Sequence, residues 1–251
     1  MILKKPLNDV ALTAMIPARM GSTRLAMKNL ALLDGKPLIY YAVRAARESG
    51  VFDRIVINSE NDIFEKIALR YKVDYYRRPA QFATSGARSD SVVYDFMRNN
   101  PSDIVVWVNT TSPLQTGYDI RGAVEYFLKE GLDSLITIKN EQVHCFYRGK
   151  PVNFRTDRIF DRTQDLTPVQ SFVYSLMMWR SEIFIKMYEK KGRALFCGKF
   201  GVYPVRKDST VIIKREEDLI LADHILCSRK KRKKFSLKYD KIINRSEGKY
   251  K

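Results

Sequence analysis

One loop near the start of the chain concentrates side chains that could bind phosphate. Arg19, Arg24 and Lys28 lie within ten residues of one another, together with Gly21 and the hydroxyl of Ser22. A nucleoside triphosphate carries about four negative charges, and its oxygens are bound well by backbone N–H groups and by Arg and Lys side chains. The loop therefore predicts a triphosphate site. The alternative is an ordinary surface loop with incidental basic residues.

The loop fits neither of the common glycine-rich phosphate motifs. The sequence contains no GxxxxGK[ST] and no GxGxxG, so it predicts neither a P-loop nor a dinucleotide fingerprint. The prediction rests instead on three cations placed directly after a strand.

That strand belongs to an alternating series. Val10 to Ile16 are almost all apolar and Pro17 ends the run, as expected for a strand covered on both faces. Further strands are predicted at 54–58, 103–108 and 134–138, and helices at 37–48, 62–71 and 118–129. Such alternation predicts an α/β fold with a mostly parallel sheet flanked by helices. Ligands bind beyond the carboxyl ends of such strands, so the loops after Ile16 and Val108 are the first candidates.

The second part of the chain has a different pattern. Residues 146–160 alternate around Gly149 and predict an antiparallel hairpin, followed by a strand at 171–179 and a helix at 181–189. Short strands are predicted at 201–205 and 210–213, and a closing helix at 216–226. We see no repeat and no low-complexity linker. We therefore expect a single domain over residues 1–228 with an inserted arm at about 141–180, followed by a basic tail at 229–251.

Composition excludes several protein classes. The chain is 45% hydrophobic, which is ordinary for a globular protein, and no apolar run approaches the roughly 18 residues of a membrane span. The first nine residues carry no apolar stretch typical of a secretion signal. Three widely spaced cysteines form neither a metal motif nor a disulfide framework. We expect a cytoplasmic protein.

The positive charge is concentrated at the end of the chain. The net charge is +17, and residues 225–251 contribute +9 of it through a block that begins at Arg229. Such a block is usually a solvated end, and adhesion to an anionic membrane or to nucleic acid stays open as an alternative. The sequence argues against nucleic acid as a partner, because no platform of interleaved aromatic and basic residues accompanies the charge.

Four motifs follow one another along the chain. They are Pro17-Ala-Arg19-x-Gly21-Ser22 with Lys28-Asn29, then Leu33-Asp-Gly35-Lys-Pro37-Leu-Ile39, Arg78-Pro79, and Asn109-Thr-Thr111-Ser112-Pro113-Leu114. These motifs resemble the signature of the CMP-sialic acid and CMP-Kdo synthetases, most strongly the acylneuraminate branch. The resemblance covers roughly the first 140 residues well and the rest more loosely. It implies a Rossmann-like nucleotidyltransferase fold with an inserted dimerisation arm, and hence a homodimer.

The resemblance also implies roles for individual residues. Arg19 and Lys28 would contact the triphosphate, and Arg78 the cytosine. Further nucleotide-binding candidates are Ala18, Gly21, Ser22, Asn29, Ser89 and Asn109, of which Asn109 stands where the family has a glutamine. Sugar-binding candidates are Thr111 and Ser112, with Arg162, Gln164 and Asp165 in a segment that resembles the family's R-Q-D-L-P.

The chain departs from the family at its metal site. Family members use Mg²⁺, and their D-I-D-T-x-x-D segment corresponds to residues 212–218. Asp218 matches the final aspartate, but Ile212 and Lys214 replace the two usual metal ligands, and neither side chain can bind Mg²⁺. Three explanations stay open. Lys214 supplies part of the missing positive charge as a catalytic residue beside Asp218, or the triphosphate and acidic residues such as Asp208, Glu217 or Asp218 hold the ion, or catalysis is lost.

The function that the resemblance implies is transfer of CMP from CTP to a sialic-acid-like 2-keto acid sugar, with release of pyrophosphate, for surface glycan synthesis. Two alternatives stay open. One is another sugar- or polyol-phosphate nucleotidyltransferase on the same fold. The other is a catalytically silent protein that keeps the nucleotide loop.

Overall fold

Seven strands form one central sheet in the computed structural model, which describes residues 10–230. The described residues form eleven strands in all, including those outside the central sheet. They are β1 (Leu12–Pro17), β2 (Leu32–Leu33), β3 (Lys36–Pro37), β4 (Arg54–Ser59), β5 (Asp74–Arg77), β6 (Ile104–Val108), β7 (Ser134–Glu141), β8 (Phe146–Tyr147), β9 (Lys150–Pro151), β10 (Val169–Arg180) and β11 (Phe200–Pro204). The helices are α1 (Leu38–Ser49), α2 (Asp62–Tyr71), α3 (Ser89–Asn99), α4 (Gly117–Lys129), α5 (Ser181–Lys191) and α6 (Glu216–Lys230). The two hairpins β2–β3 and β8–β9 lie outside the central sheet.

The sheet is parallel except for one strand. Its order is β11-β7-β10-β6-β1-β4-β5, and only β10 runs antiparallel to its neighbours. This confirms the predicted α/β class with a mostly parallel sheet flanked by helices. Because the parallel strands share a direction, the loops after β1 and β6 leave the sheet at the same edge.

Both faces of β1 are buried, which explains why its residues are almost all apolar. Leu12, Ala14 and Ile16 pack into one core cluster, whereas Met15 points into another on the opposite face. Helices α1, α2 and α4 contribute to the first cluster, and α3 and α5 to the second. Burying each such large apolar side chain contributes roughly 1.5–3 kcal/mol. The core therefore holds the loop that follows β1 on a rigid base.

Helix α4 is fixed against α1 by a close approach at its first turn. A Cβ built on Gly117 would lie 2.6 Å from the backbone carbonyl carbon of Glu48, so only glycine fits there. A capping box formed by Thr116 and Asp119 starts the helix. The loop after β6 is thereby anchored at both ends.

The second part of the chain differs from its prediction in detail. The predicted hairpin around Gly149 forms, but each strand is two residues long. The strand predicted at 210–213 does not form. Thr210 instead ends a 3-10 turn, Lys207–Thr210. The Ile213 N–H donates to the carbonyl of Thr111, which lies in a loop and not in a strand.

Two elements have no clear sequence pattern. Strand β5 is a short edge strand that carries a charged residue at each end. Helix α3 contains few strong helix-forming residues, and its buried face of Val92, Val93, Phe96 and Met97 stabilises it by packing.

Helix α6 extends past its predicted end near Leu226 and past the predicted domain boundary at 228. Arg229 donates to the carbonyl of Leu114 at 3.3 Å and pairs with Asp208, and Lys230 pairs with Asp34. Two residues assigned to the basic tail therefore belong to the folded domain, and the rest of the tail lies outside the described residues. Between residues 10 and 230, no helix has both the length and the apolar character needed to cross a membrane.

Candidate active site at the carboxyl edge of the sheet

A cavity of about 260 Å³ lies at the carboxyl ends of β1 and β6. The loop after β1 forms one wall, the segment before α3 another, and the loop after β6 a third. Of the residues predicted from the sequence, the cavity brings together Ala18, Arg19, Ser22, Lys28, Asn29, Arg78, Ser89, Asn109 and Thr111. Gly21 lines a shallow neighbouring cavity, and Ser112 is buried.

Lys28 is the most enclosed cation of the loop. Its side chain is 8% exposed, and its ammonium donates to the carbonyl of Ile213 at 3.0 Å. The preceding residue, Met27, has a left-handed backbone with φ 45°, which starts the 3-10 turn Lys28–Leu30. This turn directs the lysine inward toward a partner 185 residues away in the sequence.

Like charges crowd around Lys28. Burial lowers the pKa of its ammonium, and repulsion from Arg24, Arg19 and Lys214 lowers it further, while Asp218 partly offsets the effect. A group of cations with so little compensating negative charge favours binding of an anion.

Asn29 orients the loop. Its amide nitrogen donates to the carbonyl of Arg19 at 3.0 Å, and its amide oxygen accepts from the hydroxyl of Thr110 at 2.6 Å. The side chain thus joins the loop after β1 to the loop after β6. Asn29 positions Arg19 through these contacts.

Arg78 is a buried arginine with two partners. Its side chain is 4% exposed, and one guanidinium nitrogen donates to the carbonyl of Ala18 at 2.9 Å and to Glu60 at 3.0 Å. Its Nε is buried and has no partner within residues 10–230. A guanidinium held in this way presents a fixed donor at the wall of the cavity.

Glu60 is a site residue that the sequence analysis missed. It accepts from the backbone N–H of Met20 at 2.9 Å as well as from Arg78. Burial acts to raise the pKa of this carboxyl, but these hydrogen bonds outweigh burial and lower it below its ordinary value. The sequence did offer one signal, since Glu60 comes immediately after β4, at the same edge of the sheet as the loop after β1.

The side chain of Asn109 makes most of its hydrogen bonds within the protein. Its amide nitrogen donates to the carbonyl of Tyr174 at 3.0 Å. Its amide oxygen accepts from the backbone N–H of Thr111 at 3.1 Å and from the hydroxyl of Thr111 at 2.9 Å. The residue lines the cavity, but its polar atoms point mainly into the loops around it.

A second cavity, of about 620 Å³, adjoins the first. The two share four residues, which are Arg24, Lys28, Asn109 and Thr111. Lys139, Lys214, Phe172, Tyr174 and Ile212 add further walls to the second cavity. Two carboxylates, Glu141 and Asp218, also line it, so its four basic side chains leave an excess of positive charge that suits an acidic molecule.

Comparison with known proteins identifies the family. A family model described as cytidylyltransferase matches residues 13–242. The chain belongs to the cytidylyltransferase family. The CMP-sugar synthetase resemblance of its motifs agrees with this membership.

Relatives of the chain include proteins named N-acylneuraminate cytidylyltransferase. The chain is 25% identical over 249 residues to N-acylneuraminate cytidylyltransferase of Streptococcus agalactiae serotype V, covering 93% of this chain and 59% of the relative. It is 30% identical over 128 residues to N-acylneuraminate cytidylyltransferase of Oncorhynchus mykiss, covering 51% of this chain and 30% of the relative. The chain thus spans 59% of the length of the first of these relatives.

Solved structures share the fold. CMP:2-keto-3-deoxy-manno-octonic acid synthetase complexed with CTP superposes with a TM-score of 0.66 at 13% identity, covering 87% of this chain and 99% of that one. A 4-diphosphocytidyl-2C-methyl-D-erythritol synthase from Anaerococcus prevotii gives a TM-score of 0.62 at 15% identity, with coverage of 87% and 99%. At these identities the similarity concerns the fold alone.

The acidic residues near the two cavities do not form a metal cage. Asp218 accepts from the backbone N–H groups of Lys214 and Arg215 at 2.8 and 2.9 Å, so it fixes the start of α6. Asp208 pairs with Arg206 and Arg229, and Glu217 is exposed. Across residues 10–230, no three His, Cys, Asp or Glu side chains come together as a metal site would require. The residues present do not fit a Mg²⁺ ion held by the protein alone.

The sugar candidates on the arm lie apart from both cavities. Arg162 pairs with Asp165 at 2.7 Å, and its side chain is 73% exposed. The carbonyl of Gln164 accepts from Gln142 at 2.8 Å. None of these three candidates lines either cavity within one copy of the chain.

Proposed function

We propose that this chain transfers CMP from CTP to a sialic-acid-like 2-keto acid sugar and releases pyrophosphate. Membership of the cytidylyltransferase family supports the nucleotide, and the N-acylneuraminate relatives at 25% identity support the sugar class. The observation that carries the proposal is the convergence of Arg19, Arg24, Lys28 and Lys214 at the carboxyl edge of the sheet.

The proposed reaction requires little covalent work from the protein. A hydroxyl oxygen of the sugar bonds to the α-phosphorus and gives up its proton to solvent water, while the bond from that phosphorus to the bridging oxygen breaks and pyrophosphate leaves with the electron pair. Lys28 and Arg19 would hold the triphosphate and stabilise the charge that develops on the leaving group. Lys28 suits this role, because its ammonium is already aligned by the carbonyl of Ile213.

Lys214 is our candidate for part of the charge that a metal supplies elsewhere. It lines the second cavity with Lys28, and its charge acts on Lys28. An ammonium near the phosphates would offset their mutual repulsion without an ion. Any requirement for Mg²⁺ would then come from an ion that the triphosphate carries in. Whether the chain uses Mg²⁺ is itself part of this proposal.

The acceptor would occupy the second cavity. Arg24 offers positive charge to a sugar carboxylate, whereas Lys139 is already paired with Glu141 at 3.1 Å. The rings of Phe172 and Tyr174 offer an apolar wall. Thr111 lies on the boundary of both cavities, which suits contact with the acceptor near the reacting atoms.

We further propose a homodimer formed through the arm. Apolar side chains there are strongly exposed, among them Phe146, Tyr147, Ile159 and Phe160, and covering such a patch would stabilise the protein. Arg162, Gln164 and Asp165 stay proposed sugar contacts within that assembly. Light scattering at micromolar concentration tests the dimer, and a mass of one chain would contradict it.

A cytoplasmic location is also proposed, because CTP is a cytoplasmic metabolite. Fractionation of cells that produce the full-length protein tests the location. Recovery of the protein in the membrane pellet would contradict it and favour contact of the tail with anionic lipid.

A pyrophosphate-release assay tests the main proposal. The four common nucleoside triphosphates are combined with N-acetylneuraminic acid, 2-keto-3-deoxy-manno-octonic acid and 2C-methyl-D-erythritol 4-phosphate, each with and without Mg²⁺. We expect turnover with CTP and a 2-keto acid sugar. Turnover only with the polyol phosphate would favour the alternative that the Anaerococcus fold neighbour suggests. CTP binding without turnover would favour a silent nucleotide-binding protein.

A further inference from the structure

We propose that Asn109 is a positioning residue that holds Tyr174 and thereby shapes the acceptor side of the site. This inference rests on the proposed function and deepens it. It assigns Asn109 to the wall of the second cavity, whereas the family resemblance assigned it to the nucleotide.

Tyr174 has an unusual backbone for a residue with a side chain. Its φ is 56°, in the left-handed region, which is unfavourable for residues other than glycine. It lies where the pairing of β10 with β7 shifts register, between Phe172 and Met177. A conformation of this kind persists only where the surroundings hold it.

Asn109 supplies that restraint directly. Its side-chain nitrogen donates to the carbonyl of Tyr174 at 3.0 Å, and its backbone nitrogen donates to the carbonyl of Ser175 at 3.1 Å. Two consecutive carbonyls of the irregular segment are therefore held by one residue. Thr137 holds the next position, since its hydroxyl accepts from the backbone N–H of Leu176 at 3.0 Å.

The orientation of the Asn109 amide follows from its partners. The backbone N–H of Thr111 can only donate, so the amide oxygen must face it. The carbonyl of Tyr174 can only accept, so the amide nitrogen must face that side. The oxygen also accepts from the Thr111 hydroxyl. Only one N–H of the Asn109 amide is then left for a ligand. A single donor cannot make the paired donor and acceptor contacts by which an amide recognises a base edge.

The same contacts extend to the phosphate side. The carbonyl of Thr111 accepts from the N–H of Ile213 at 2.8 Å, and the carbonyl of Ile213 accepts from Lys28 at 3.0 Å. Asn109 thus lies between the lysine of the first cavity and the tyrosine of the second. The ring of Tyr174 is 47% exposed and packs 5.5 Å from that of Phe172, where it forms the wall that an acceptor would meet.

The test compares Asn109→Ala with the matched control Asn140→Ala. Asn140 is an exposed asparagine on β7, outside both cavities. Both changes are uncharged, so neither adds repulsion toward the triphosphate. For each variant, calorimetry gives the CTP dissociation constant, pyrophosphate release gives kcat and KM for N-acetylneuraminic acid, and hydrogen exchange follows the peptide that contains Tyr174.

We expect Asn109→Ala to raise the acceptor KM at least about tenfold and to leave the CTP dissociation constant within about twofold. Exchange in the Tyr174 peptide should become faster, while Asn140→Ala should resemble the wild type. In a Tyr174→Ala background, adding Asn109→Ala should not raise KM further, because both changes act through the same ring.

Two results would overturn the inference. One is a large rise in the CTP dissociation constant with an unchanged acceptor KM, which would return Asn109 to the nucleotide. The other is unchanged exchange in the Tyr174 peptide, which needs no substrate and so bears on the inference even if the proposed function fails. Failure of the wild type to bind CTP would instead contradict the proposed function.

Discussion

Arg78 and Arg162 show how differently the two halves of this molecule use the same side chain. Arg78 is 4% exposed and is bonded to Ala18 and Glu60, which lie 60 and 18 residues away. The Arg162 side chain is 73% exposed, and its partner Asp165 is three residues away. Neighbouring arginines of the arm behave like Arg162, since Arg155 pairs with Asp157 and Arg158 with Asp161.

The difference separates a site that the monomer completes from a surface that it leaves open. In the first cavity, long-range hydrogen bonds hold the side chains of Lys28 and Arg78, so these two cations are in place before any ligand arrives. The arm carries local ion pairs and exposed rings, whose arrangement contributes little to the stability of one copy. Under the proposed function, the arm would act only together with a second copy of the chain or with the acceptor.

The largest expected effect is on stability at Arg78. Arg78→Ala should lower the free energy of unfolding by about 3 kcal/mol, because it leaves the enclosed carboxylate of Glu60 without its cation. The adjacent Arg77 is exposed and pairs with Asp62, so Arg77→Ala should cost less than about 0.5 kcal/mol. Urea unfolding followed by circular dichroism measures both. Equal effects of the two substitutions would remove the contrast between buried and exposed arginines.

A smaller effect is expected on nucleotide binding at Lys28. Lys28→Ala should raise the CTP dissociation constant at least tenfold, about 1.4 kcal/mol, because it removes the aligned cation of the first cavity. Arg19→Ala should act in the same direction. The exposed Lys36 outside the cavity is the control. Calorimetry with CTP decides the matter, and an unchanged constant in both cavity variants would refute the assignment.

A still smaller effect is expected on the dependence of turnover on Mg²⁺ concentration. Lys214→Asp should raise the Mg²⁺ concentration needed for half-maximal turnover by about three- to fivefold, since a cation near the phosphates becomes an anion. Lys214→Ala should give a shift in the same direction but smaller. Turnover is measured against Mg²⁺ for the wild type and both variants. Three superimposable curves would exclude a role of this lysine at the phosphates.

The smallest expected effect is at Arg162. Arg162→Ala should change the free energy of unfolding by less than about 0.5 kcal/mol, because the ion pair that it breaks is solvated. The CTP dissociation constant should also stay within about twofold of the wild type, since Arg162 lines neither cavity of its own chain. Calorimetry and urea unfolding check both values. A clear loss of CTP affinity would show that the arm reaches the nucleotide.

Local sequence was sufficient for the fold class and for the position of the loop after β1 at the edge of the sheet. Strand β1 is an almost entirely apolar run followed by Arg19, Arg24 and Lys28, and alternation of strands with helices determines which edge of a parallel sheet such a loop occupies. The same reasoning failed for β5, α3 and the strand expected at 210–213. In those segments the conformation depends on packing or on contacts with distant loops. The local periodicity of the sequence predicts neither.

The partners of the site residues were decided by the tertiary structure alone. Nothing near Lys28 in the sequence indicates that its ammonium meets the carbonyl of Ile213, 185 residues away. Glu60 could not be assigned to Arg78, nor the amide of Asn109 to the carbonyl of Tyr174. The pattern of residue types along a chain determines which segments are buried and in which order they leave the sheet. Which donor then faces which acceptor depends on the packed geometry of segments far apart in sequence, because a hydrogen bond depends on distance and angle at the scale of one atom.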